Sequence, residues 1–239
     1  MATSFCATQQ DVEQYRRLRA AALDLNYRIA QTIPQRAYRE IGDAIGIRHN
    51  GVLVFETEDM KSVVMDCCVF DWLENGKNPV RHFAESHVAG LGPEESSVLA
   101  AYLQAQYRIL VVESLVPDAG VHCRDILNKE RLFLMDVAFS RSLTVGYAIA
   151  TRTVPFGDYW ITTGAALPIP SSKTVAYAFR GIERESLASV LRSGVLPLRM
   201  VRACLAAGAA EYIQYDDFSG KSRPPQRQYN WPRTKKRRR

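Results

Sequence analysis

Between residues 11 and 31 the apolar side chains Tyr15, Leu18, Ala22, Leu25 and Ile29 recur at steps of three and four. That spacing lines one face of a helix, and Asp11 stands where such a helix would be capped. Pro34 suits the first turn of a second helix running to Ile45, with Gly46 as its stop. Arg48-His49-Asn50-Gly51 has turn chemistry, and Val52 to Phe55 fits either a short strand or the approach to the next helix. Thr57, Glu58 and Asp59 open a helix through Met65, Cys68, Val69 and Trp72, ending near Asn75-Gly76. Two further helices are expected over 79–87 and 94–106.

At Tyr107 the period changes. Segments 107–116, 121–127, 132–139, 147–154 and 159–169 are rich in Val, Ile, Leu, Tyr, Phe and Thr, with turn-forming residues between them. Five short strands at this spacing predict an antiparallel meander, closed into a small barrel or strongly bent. Beyond Pro170 helices are expected over about 182–192 and 197–212. From Phe218 onward there is no apolar periodicity. The pattern therefore reads as an α+β fold. It has a helical region over 1–106, a five-stranded antiparallel β module over 107–170, a C-terminal helical pair over 171–217 and a disordered basic tail over 218–239.

Composition adds a soluble, globular expectation: 47% of the 239 residues are hydrophobic and 23% charged, which excludes collagen-like and disordered chains. No run of 18 apolar residues predicts a membrane span, and the first ten residues have no secretory pattern. The net charge of +6 is misleading. Nine of the 31 Lys and Arg residues lie in 221–239, which has no acid, leaving 22 against 25 carboxylates in the first 220 residues. The whole positive surplus belongs to the tail. Five unevenly spaced cysteines argue for reduced thiols and a cytoplasmic chain.

Candidate chemistry is sparse. Cys67, Cys68, His82, His87, His122 and Cys123 lack the spacing of a structural zinc site, so no metal is expected. No nucleophile elbow, phosphate loop or dinucleotide fingerprint occurs, so no catalytic residue and no cofactor is assigned. Asp66 and Asp71 lie on the Cys-rich helix, and Asp125 and Asp136 fit strand ends that hold turns. Arg141 and Arg152 could clamp an anion with their planar forks or pair with those same aspartates. The tail is the most distinctive feature. Arg227, Tyr229, Trp231, Arg233, Lys235, Lys236, Arg237, Arg238 and Arg239 interleave cations for phosphates with rings that can stack on bases. Extended, it reaches on the order of 60 Å.

Asp71-Trp72-Leu73-Glu74-Asn75-Gly76-Lys77 with Val80 to Phe83, then 121–127, 136–143 and 146–155, resemble a pattern in poorly characterised bacterial proteins, some of which carry a SEC-C zinc tail. The resemblance spans about residues 66–169 and implies the strand module and a bacterial cytosolic setting. Where the zinc tail would supply ligands, this chain has Ser219-Gly220-Lys221-Ser222 and then basic and aromatic residues, so no ligand carries over. The leading expectation is a non-enzymatic binding or adaptor protein whose tail contacts nucleic acid or the ribosome, with room for a protein partner. The alternative is an enzyme or small anionic-ligand binder using Asp125, Asp136, Arg141 and Arg152.

Overall fold

A computed structural model describes residues 5–57, 59–182, 194–212 and 214–215. The first helix, α1 (Gln9–Ala30), begins one turn earlier than Asp11 suggested. Thr8 is its cap, and Asp11 returns the bond from the third helical position, so the aspartate completes a capping box. Tyr15, Leu18, Ala22, Leu25 and Ile29 are buried along one face, as their spacing predicts. In α2 (Gln35–Ile45), Gly46 adopts the left-handed conformation that ends the helix, with φ of 82°.

The ambiguous run after Asn50-Gly51 is a strand. β1 (Arg48–His49) and β2 (Val52–Leu53) form a two-residue hairpin. Helices α3 (Asp59–Phe70), α4 (Pro79–Ser86) and α5 (Pro93–Tyr102) complete the N-terminal half. α3 stops at Phe70, earlier than expected, and Asn75-Gly76 form a tight turn, bridged by Glu74 and Lys77, in which both have positive φ.

The strand module is β3 (Gln106–Val116), β4 (Gly120–Asp125), β5 (Arg131–Met135), β6 (Ala148–Phe156) and β7 (Tyr159–Pro168). β3 pairs antiparallel with both β4 and β6, β4 with β5, and β6 with β7. The barrel closes through a parallel pairing of β5 with β7, at Leu134 and Trp160. This corrects the all-antiparallel expectation. A closed ring with an odd number of strands cannot alternate direction all the way round, so five strands require one parallel neighbour. The strand order is that of the five-stranded Greek-key barrel known as the OB-fold.

The third strand is shorter than 132–139. It ends at Met135, and Val137–Ser142 is a helix, α6, capped by Asp136, whose carboxylate accepts from the Phe139 amide at 3.0 Å. After the barrel comes α7 (Ser172–Ala178), which the apolar pattern did not indicate. α8 (Val195–Ala206) and a 3-10 turn at Ala209–Tyr212 replace one longer helix. A short β8 (Gln214–Tyr215) then pairs with Ala165 and Ala166 of β7. The helix expected over 182–192 falls almost wholly outside the described residues, as does the basic tail.

Two apolar clusters organise the molecule. Leu110, Val112, Val121, Cys123, Leu132, Leu134 and Ile149 fill the barrel interior. The larger cluster joins the buried faces of α1, α2, α3, α5 and α8 to Ile109, Ala150, Val154 and Ile161, which alternate with the interior residues on the barrel's outer face. One side of the barrel thus serves as a floor for the helices.

Candidate functional site

Strand alternation sets up the first charged centre. Ala150 and Val154 of β6 point into the helical layer, and Arg152 between them does the same, just under the end of α3. Its Nε donates to Asp66 Oδ2 at 3.1 Å and its Nη2 to Asp71 Oδ2 at 2.5 Å. The guanidinium lies 4.7 Å from the Phe70 ring centre and 5.4 Å from that of Tyr107. Thr163 of β7 donates to the other oxygen of Asp66. One cation here faces two carboxylates in a buried place, leaving a surplus negative charge. Burial pushes the Asp71 carboxyl up to about 7, against the pull of Arg152 and with the push of Asp66. Burial also pushes the neighbouring Cys67 thiol well above its ordinary range.

The second centre belongs to the opposite face of the sheet. Arg108 shares the inward side of β3 with Leu110 and Val112, and it plugs one end of the barrel at 1% exposure. It donates to Thr153 Oγ1 (3.1 Å), Asp125 Oδ2 (3.0 Å), Glu130 Oε2 (2.7 Å) and Gln106 Oε1 (2.8 Å). Trp160 stacks 4.3 Å from its guanidinium. The second oxygen of Asp125 accepts from the Leu127 amide at 2.9 Å. Four hydrogen bonds and the Trp160 ring hold this arginine in place.

Both centres open on one cleft of about 1020 Å³ between the helical layer and the barrel end. Asp71, Arg152, Arg108 and Asp125 line its depth, Lys77, Arg81 and Glu85 come from the turn before α4 and from α4 itself, and Leu73, Leu103 and Leu127 add apolar wall. A smaller cleft of about 270 Å³ lies on the other side of Phe70, where Asp66, Lys61, Met65 and Thr163 face each other. Ligand sites typically occupy about 300–1,000 Å³.

Of the four residues named for the ligand-binding alternative, Asp125 and Arg152 meet on one cleft. Asp136 does not. It is a buried cap of α6 that also accepts from Thr162 at 3.5 Å. Arg141 pairs with Asp118 at 2.6 Å on the surface. Neither lines the cleft that Asp125 and Arg152 share, because both serve the turns around α6. Arg108 was missed, although its alternation with Leu110 and Val112 marks it as an inward-facing charge. Residues 227–239 lie outside the described residues.

A third surface is the outward side of β4 and β5. His122 packs on Phe133, with ring centres 4.8 Å apart, and Phe5 covers the same ring at 5.1 Å. Arg124 and Arg131 flank it, half-exposed to exposed, and share Glu113 at 3.1 and 2.9 Å. Cys123 turns inward on the same strand. Among the described residues, no three His, Cys, Asp or Glu side chains converge as a metal site would require, and no helix is long and apolar enough to cross a membrane.

Residues 9–176 match the model of a protein family described as a family of unknown function, DUF7986. No curated protein and no solved structure matches the chain.

Proposed function

The chain belongs to the family DUF7986, and we propose that it is a non-enzymatic protein of the bacterial cytoplasm that binds nucleic acid, free or in the ribosome. The observation that carries this reading is the concentration of nine cations in residues 221–239 of a chain whose remainder is net acidic. The barrel supports it by analogy of fold. OB-type barrels take oligonucleotides on the face of their second and third strands, and here that face carries Arg124, Arg131 and His122. Its stacking surface is small, because Phe133 is covered by Phe5. The tail supplies most of the affinity and the barrel face any preference for single strands.

The test is affinity for mixed single-stranded RNA and DNA against salt, for the full chain and for a chain ending at Gly220. The full chain should bind with log affinity falling linearly in log salt, by about 0.7 for each phosphate neutralised. The shorter chain should bind at least tenfold more weakly. Equal binding by the two would overturn the proposal. Replacing Arg124 and Arg131 together by Ala should lower affinity a further several-fold and reduce the salt slope.

A further inference from the structure

A guanidinium carries five N–H donors, and Arg152 spends them unevenly. Its Nε and Nη2 hold Asp66 and Asp71, while Nη1 has no hydrogen bond with any described residue. Yet the side chain is only 6% exposed, and it lines the large cleft. A donor of a buried side chain that reaches an open cleft without a protein partner is where an acceptor can sit. The two carboxylates are not equivalent. Asp66 faces the smaller cleft and is fixed by Thr163 on its second oxygen, whereas Asp71 lies past the end of α3 and lines the large cleft itself. With one cation between two acids, Asp71 is the partner that can be exchanged.

We propose that the large cleft binds the oxyanion head of a small molecule on Nη1 and Nη2 of Arg152, and that Asp71 takes a proton from solvent as it gives up its place on the guanidinium. Asp66 stays on Nε, so with ligand and proton bound together a singly charged head leaves the centre's net charge unchanged, and a doubly charged head adds one negative charge. Arg81 at the mouth attracts the anion, Lys77 beside it being paired with Glu85, and Leu73 and Leu103, 51% and 42% exposed, offer wall for an apolar body. The ligand class is a phosphate- or carboxylate-headed small molecule with an apolar part. Arg108, with four of its five donors already bonded inside the barrel end, contributes mainly its field.

The charged neighbours of Asp71 leave it as the group that titrates across neutrality. On α3 these are Asp66, Cys67 and Cys68, and on β3 Tyr107. Burial keeps both thiols and the phenol neutral there. Cys204 of α8, behind Tyr107, is raised to about 12. From α4, Glu85 is held ionised by Lys77, and His82 bonds the Glu74 carbonyl without lining the cleft. Arg108 and Asp125 form their own pair at the barrel end.

Titration calorimetry of the full chain with sulfate and with acetate tests this, because both probes keep their charge between pH 6 and 8. Wild type should bind about tenfold more weakly at pH 8 than at pH 6, since one proton enters with the anion. Asp71→Asn should bind at pH 8 as tightly as wild type does at pH 6, with no pH dependence. Arg152→Lys should weaken binding at least tenfold at both pH values. Tighter binding of sulfate points to a phosphate head and of acetate to a carboxylate. The tail can attract either anion, but that attraction does not respond to Asp71. An Asp71→Asn protein with the wild-type pH profile would overturn the proposal, as would anion binding that ignores both substitutions. Neither result bears on whether the tail binds nucleic acid.

Discussion

Arg108 and Asp125 are a buried pair whose worth lies in being complete. Removing one partner leaves a charge stranded in the barrel end, and such losses cost about 3–5 kcal/mol, whereas replacing both by apolar residues is often close to neutral. Arg108→Met should therefore lower unfolding free energy by that amount in urea titrations, and Arg108→Met with Asp125→Leu should recover most of it. A double variant as unstable as the sum of the singles would show that the two side chains act independently, with no coupling between them, and would overturn this reading. Asp71 gives a prediction of opposite character. It holds its proton up to about 7 in the folded chain, against an ordinary 3.8, so folding takes up a proton between those values. Stability should fall as pH rises from about 4 to about 7, by on the order of 2–4 kcal/mol, and level off above. Asp71→Asn should remove that slope in thermal unfolding followed against pH. These pairings were hard to read from the chain: Asp125 and Arg152 stood out as strand charges, but Arg152 meets acids 86 and 81 positions away, and no local spacing encodes that.

At the scale of elements, runs rich in β-branched and aromatic residues with turn-forming residues between them made the strands visible and gave their limits to within a few residues. What they could not give was the partner of each strand. Closure through Leu134 and Trp160 depends on twist and on bulges in β3 and β7, which are properties of the assembled sheet. α6 hid for a different reason. Val137, Ala138 and Phe139 continue the apolar run of β5, and the one signal of a break was Asp136, a residue that both ends strands and caps helices. Asp136→Ala should cost about 1–2 kcal/mol by loss of the cap, measured by denaturant unfolding. Gly120 marks a tighter constraint. A Cβ there would sit 2.2 Å from the Leu134 carbonyl oxygen and 3.0 Å from the Asp136 amide nitrogen, both backbone. Gly120→Ala should shift β4 off β5 and reduce the yield of folded protein sharply. If that variant unfolds at the wild-type temperature, the two strands pack more loosely than described.

For the whole molecule, the shared cluster between helices and barrel implies one cooperative unit. Far-ultraviolet circular dichroism and tryptophan fluorescence should report the same unfolding midpoint, and separate midpoints would mean that the barrel stands without its helical cover. The sequence reading of a barrel flanked by helices reached this architecture in outline, while the depth of the cleft between them comes from side chains far apart in the chain. One small element bears on how the tail should be probed. β5 occupies the start of β7's outer side, at Trp160, and β8 occupies its end, at Ala165 and Ala166. A chain cut after Gly220 keeps that cover, whereas one cut at 212 would strip it and leave a row of unpaired amides and carbonyls facing solvent. Such a row templates pairing with another copy, so a protein shortened that far would self-associate for reasons unrelated to the charge it has lost.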